Sequence, residues 1–81
     1  MDETLDAEQS AARAAARRRR TLRDLFLDAE DRSERTVVFT SDGRAYRGTV
    51  TAVGMDHVEV AGSEGTWLII LAQVAAVGRS R

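Results

Sequence analysis

From residue 36 onward an apolar run, an Asp-Gly turn and a second run that alternates apolar and polar positions with a period of two follow one another closely, the mark of half-buried strands in a tightly bent hairpin. Thr36 to Val60 reads T-V-V-F-T-S-D-G-R-A-Y-R-G-T-V-T-A-V-G-M-D-H-V-E-V. Asp42-Gly43 separates two β-rich runs and predicts a hairpin through a type I′ turn, whose two central residues need positive φ. The first strand is then 36–41 and the second 45–53, with Tyr46, Val50 and Ala52 on one face and Arg47, Thr49 and Thr51 on the other. Gly48 falls on the Tyr46 face, where a glycine inside a strand marks a sharp bend or a close backbone approach. Gly54-Met55-Asp56 makes the next turn, and 57–61 is a short third strand. Gly62-Ser63-Glu64-Gly65 turns into 66–71, T-W-L-I-I-L, whose nearly unbroken apolar character predicts burial on both faces. Ala72-Gln73 interrupts the run before a last strand at 74–77. Five short strands packed so closely predict a mainly β chain folded as one small, strongly bent barrel.

The N-terminal segment follows a different period. Ala7, Ala11, Ala14, Arg18, Leu22, Leu25 and Ala29 recur at intervals of three and four, which places them on one stripe of a helix. The alanine-rich stretch 11–16 favours that helix, and no proline interrupts it. Only the C-terminal end of the stripe is apolar, so Leu22, Leu25 and Phe26 are expected to pack on the barrel. Residues 1–20 are expected to form a charged Ala/Arg-rich extension, helical or partly disordered, and 21–81 the helix plus barrel.

The barrel segment resembles the Sm-like family of small β-barrels and its Hfq-like branch. The residues that carry the resemblance are Val38 and Phe39, Asp42-Gly43, Gly48, Val50 and Val53, with Val58 and Val60 continuing the pattern. Ile70 to Val77 is similar to the family's last turn and fifth strand, and a helix before the barrel also agrees. The resemblance covers roughly 22–79. It implies a five-stranded, strongly bent Sm-like (SH3-like) barrel with an N-terminal α-helix. It further implies RNA as ligand, and a homo-oligomer in which strand 66–71 of one copy pairs with strand 74–77 of the next. In one respect the chain departs from the pattern. Where the Hfq-like branch places a Lys-His pair before the fifth strand, this chain has Ile70 and Leu71, which offer neither charge nor hydrogen bonds.

At 81 residues, with two Phe, one Tyr and one Trp, the chain has a modest core that oligomerisation would reinforce. Cysteine is absent, which removes disulfides and thiolate metal sites and suits a reducing cytoplasm. No apolar segment approaches the ~18 residues of a membrane span, so a cytoplasmic protein with no membrane partner is expected. All twelve basic residues are arginine.

The net charge of −1 hides a strong segregation. Asp2, Glu3, Asp6 and Glu8 precede Arg13, Arg17, Arg18, Arg19, Arg20 and Arg23, and these precede Asp24, Asp28, Glu30, Asp31 and Glu34. Four consecutive arginines project all round a helix and cannot form one flat phosphate-reading face. They can still anchor the backbone of RNA or another single-stranded nucleic acid without regard to sequence. Alternatively they form a solvated face that pairs within the chain, Arg20 with Asp24 and Arg32 with Asp28, each pair contributing about 0.2–0.5 kcal/mol.

Met55, Asp56 and His57 stand in the turn where family members stack a base, and Arg44 and Arg47 flank the Asp-Gly hairpin at a rim that phosphate can reach. The competing roles are a solvent-facing loop histidine and arginines that solubilise the polar side of a strand. Trp67 is a possible base platform or a core or interface anchor. Glu59 and Glu64 lack a carboxylate partner at a fixed spacing, and no nucleophile triad, phosphate loop or dinucleotide fingerprint occurs. The chain is therefore read as no enzyme, with no cofactor, no metal and no catalytic residue. Its candidate nucleic-acid contacts are Arg13, Arg17, Arg18, Arg19, Arg20, Arg23, Arg44, Arg47, Asp56 and His57. The alternative is a protein-interaction or regulatory module whose barrel has lost the RNA pocket and whose charged helix docks a protein partner.

Overall fold

The computed structural model describes residues 3–80, with side chains from 7 to 79; Met1, Asp2 and Arg81, which fall at the ends of the two expected segments, lie outside the described residues. A single helix, α1 (Glu3–Arg32), precedes five strands, β1 (Arg35–Thr40), β2 (Ala45–Val53), β3 (His57–Gly62), β4 (Gly65–Ile70) and β5 (Val74–Ser80). A 3₁₀ turn, Leu71–Gln73, joins the last two. Thirty residues at 1.5 Å rise make α1 about 45 Å long. That length accounts for a molecule extending 53 × 25 × 19 Å.

The helix stops without a glycine. Ser33 takes a left-handed φ of 52°, the Ser33 N–H donates to the Glu30 carbonyl at 3.2 Å, and the Glu34 N–H reaches Ala29 at 3.1 Å. These are the paired backbone bonds of a Schellman ending, here with a serine in the strained position.

All five strands belong to one antiparallel sheet in the order β4-β3-β2-β1-β5. β2 changes partner midway: Ala45 to Thr49 pair with β1, whereas Thr49 to Val53 pair with β3. The change occurs beside Gly48, where an added Cβ would lie 2.1 Å from the Ala61 carbonyl oxygen. Only glycine permits that approach. The barrel is strongly bent but not closed, since among the described residues β4 and β5 remain the two edges of the sheet.

Val38, Val50, Val58 and Val60 project from the inner face of the sheet and Phe26 of α1 enters among them, all at 3% exposure or less. Leu22 packs against the same cluster, while Leu25 is only half-buried. Thr36 and Thr40 are the buried polar residues among those described, and both hydroxyls are hydrogen-bonded, Thr36 to the Glu34 carbonyl and Thr40 to Asp42.

Four sequence expectations need correction. Only Gly43, at φ 87°, and not Asp42, adopts positive φ in the first hairpin. The Gly43 N–H bonds the Thr40 carbonyl and the Thr40 N–H bonds the Arg44 carbonyl, so a three-residue loop with a glycine bulge replaces the type I′ turn. Asp42 favours this form by accepting from the Thr40 hydroxyl and the Arg44 N–H. In β2, the register shifts between Val50 and Ala52, and Val53 rather than Ala52 packs on the core. β4 is not buried on both faces, because it is an edge strand: Ile69 is buried, whereas Trp67, Leu68 and Ile70 are 41%, 59% and 44% exposed. Finally, of the two helical ion pairs only Arg32–Asp28 forms, at 3.2 Å. Asp28 also accepts from Arg79 at 2.8 Å, and Arg79 donates to Glu34 at 2.7 Å, which clamps the end of β5 to the end of α1.

Gly48→Ala should cost about 3 kcal/mol or more, enough to unfold most of a chain this small, because the clash is with backbone that cannot rotate away. Gly43→Ala, with nothing within 4 Å of the added Cβ, should cost only about 1 kcal/mol through its positive φ; denaturant melts of the two variants compare the costs. Acid should release the Arg79 clamp. Its hydrogen bond to Glu34 holds that carboxyl below the ordinary 4.5, so the contribution is complete above 4.5 and disappears as pH falls through the lowered value. Glu34→Gln should accordingly flatten the acid limb of a plot of melting temperature against pH.

Candidate nucleic-acid interface

Three long-range hydrogen bonds bring α1, the β2–β3 turn and the 3₁₀ turn together. Arg18 Nη2 donates to the Val74 carbonyl at 2.6 Å, and Arg23 Nε donates to the Gly54 carbonyl at 3.1 Å. The Leu71 N–H donates to the Asp56 carbonyl at 2.8 Å. Together they fix the turn against the helix.

The turn itself is short because the Gly54 N–H bonds the His57 carbonyl at 2.8 Å. The His57 ring lies across Gly54, so close that a Cβ there would meet its Cε1 at 2.3 Å. His57 Nδ1 is 3.0 Å from Asp56 Oδ1. That hydrogen bond pulls the Asp56 carboxyl below the ordinary carboxylate value, so the group is anionic at neutral pH. Met55 at the tip is 80% exposed.

Between the turn and the helix runs a groove of about 650 Å³, lined by Ala16, Arg19, Arg20 and Arg23 on one wall and Met55 and Asp56 on the other. The consecutive arginines are therefore sorted by the packing of the helix. Arg18 is committed to the barrel, Arg23 is tethered yet lines the groove, and Arg19 and Arg20 line it from exposed positions. Arg13, Arg17 and Arg20, at intervals of four and three, form an exposed row that leads into the groove at Arg20. Among the described residues none of Arg13, Arg17, Arg19 and Arg20 joins an ion pair.

Arg44 and Arg47 stand at the opposite end of β2. They line a second groove of about 490 Å³ with Tyr46, Glu64 and Trp67, whose aromatic rings are 5.4 Å apart and tilted by 55°. Arg44 lies 3.5 Å from Asp42. The structure thus brings Arg19, Arg20 and Arg23 together with Asp56 beside His57, and keeps Arg44 and Arg47 apart from them.

The sequence places Met55 in the base-stacking turn but not among the candidate contacts, and gives no sign of Ala16. A large apolar side chain in a two-sided polar turn was the available signal for Met55. Nothing local distinguishes Ala16 from the alanines around it. No group of three or more His, Cys, Asp or Glu residues is placed to hold a metal ion among the described residues, and no helix is long and apolar enough to cross a membrane.

No protein-family model matches the chain, and no curated protein matches it. Among solved structures, a crystal structure of the pleiotropic translational regulator Hfq superposes with a TM-score of 0.62 at 13% sequence identity, covering 67% of this chain and 90% of that one. With its N-terminal helix laid on five antiparallel strands and a second strand that serves both walls, the chain has the Sm-like fold.

Proposed function

We propose that this chain is an Sm-like nucleic-acid-binding protein that holds single-stranded RNA in the groove between α1 and the β2–β3 turn. The observation that carries the reading is the convergence of Arg19, Arg20 and Arg23 with Met55 and Asp56 on one groove, although Met55 lies 32 positions after Arg23 in the chain. Arginines supply the backbone contacts, and the exposed row from Arg13 extends the electrostatic track. Bases stack against Met55 and His57. Arg44 and Arg47 take a secondary backbone contact at the far rim.

The oligomer belongs to the same reading. β4 and β5 are both unpaired edges, and Leu68 and Ile70 expose apolar surface along one of them. Such an edge is an aggregation hazard unless another strand covers it. Pairing of β4 with β5 of a second copy satisfies both edges at once.

Acidic residues that flank the arginines in sequence favour the competing reading, in which α1 docks a protein. RNA binding at low salt separates the two. Arg19→Ala/Arg20→Ala leaves the Arg18 and Arg23 tethers in place, so the variant should fold while losing affinity about tenfold. Its plot of log affinity against log salt should be shallower by about 0.7 for each phosphate contact removed. Binding of a labelled single-stranded RNA that is unchanged in the double variant sinks the groove reading. For the oligomer, Leu68→Glu/Ile70→Glu should reduce the native mass to that of one 8.9 kDa chain, as read by light scattering.

A further inference from the structure

Asp56 is an odd residue to find in a groove lined by three arginines. A carboxylate there repels the phosphates that the arginines attract, so its presence needs a role that repulsion alone does not supply. Neutralising the arginines is not that role. Among the described residues Asp56 forms no ion pair with Arg19, Arg20 or Arg23, and its partner is His57 Nδ1 at 3.0 Å. The His57 bond engages Oδ1, and among the described residues no other side chain is bonded to the carboxylate. The Asp56 side chain is 75% exposed, and its backbone is held by the Leu71 N–H at 2.8 Å, so the carboxylate is presented from a fixed support.

An ionised carboxylate accepts hydrogen bonds and donates none. Facing the Watson–Crick edges of unpaired bases, it therefore discriminates by the pattern of N–H donors. Uracil offers one N–H between two carbonyls, and cytosine and adenine offer one amino group beside a bare ring nitrogen. Guanine alone presents two adjacent donors, N1–H and the N2 amino group, at the spacing of the two carboxylate oxygens. The neighbouring Met55 thioether, exposed and polarisable, supplies a face against which a purine can lie.

Resting on the assignment of this groove to single-stranded RNA, we infer that Asp56 makes it selective for guanine, which it grips by the N1–H and N2 amino pair while Arg19 and Arg20 hold the flanking phosphates. His57 acts as a positioning residue by fixing the carboxylate. The anionic state needed for acceptance is present at neutral pH, because the same His57 contact lowers the carboxyl's proton affinity.

The test uses the full chain and short labelled uridine RNAs carrying a single central G, A, C or inosine, titrated at low salt by fluorescence anisotropy. The G-containing RNA should bind about fivefold or more tighter than the others, the scale of one bidentate contact. Inosine, which lacks the N2 amino group, should lose most of that advantage. Asp56→Asn should abolish the preference for G and leave the all-uridine RNA bound as well as before or better. Equal binding of all RNAs by the parent, with Arg19→Ala/Arg20→Ala still weakening each, overturns guanine selectivity and leaves the groove assignment standing. A G preference that persists in Asp56→Asn also overturns it. If no RNA binds, or if the arginine double variant binds normally, the groove assignment itself falls and guanine selectivity falls with it.

Discussion

The approach of Gly48 to the Ala61 carbonyl governs the shape of the molecule. With a Cβ excluded there, β2 curves tightly enough to pair with β1 over its first half and β3 over its second. Curvature turns a flat sheet into a cup whose inner face carries Val38, Val50, Val58 and Val60. It also carries the far end of β2 toward the helix, so the turn that follows meets α1 through the Gly54 carbonyl while its tip stays exposed.

Two kinds of force hold α1 on this cup, and they do different work. Burial of Phe26 contributes about 2–3 kcal/mol, with no preference for direction along the helix axis. Charge-assisted hydrogen bonds such as those from Arg18 and Arg23 to backbone carbonyls contribute about 1.5–3 kcal/mol each, and they are directional. The wedge therefore supplies adhesion, and the two arginines choose the rotation and height at which the helix sits. With those fixed, Arg20 falls on the wall of the groove, and Arg19 lies between that wall and the hollow beside Leu71 and Ala72. Tethered and groove-lining arginines are interleaved within one short basic run because successive residues of a helix point in different directions.

The open edges are the other side of the same curvature. β4 leaves Trp67, Leu68 and Ile70 exposed, and β5 offers an unpaired ladder at the opposite end of the sheet.

By itself the sequence determined the elements. The apolar run at 36–41, the alternation after the Asp-Gly turn, the glycine at 48 and the broken apolar run at Ala72-Gln73 are local signals, and local sterics enforce them. The helical stripe and its apolar end at Leu22 and Phe26 were legible for the same reason. Turn chemistry at Asp42 was less so, since the Thr40 hydroxyl and the Arg44 N–H that select the three-residue loop act through a side chain and not through the Asp-Gly pair alone. The exposure of T-W-L-I-I-L depended on which strand ends the sheet, a property of strand order that composition does not encode. Arginines and the Met55-Asp56-His57 turn were visible separately, but nothing local relates two segments so far apart along the chain. Only the tertiary structure joined them, because the bend at Gly48 and the tethers from Arg18 and Arg23 act across the whole fold.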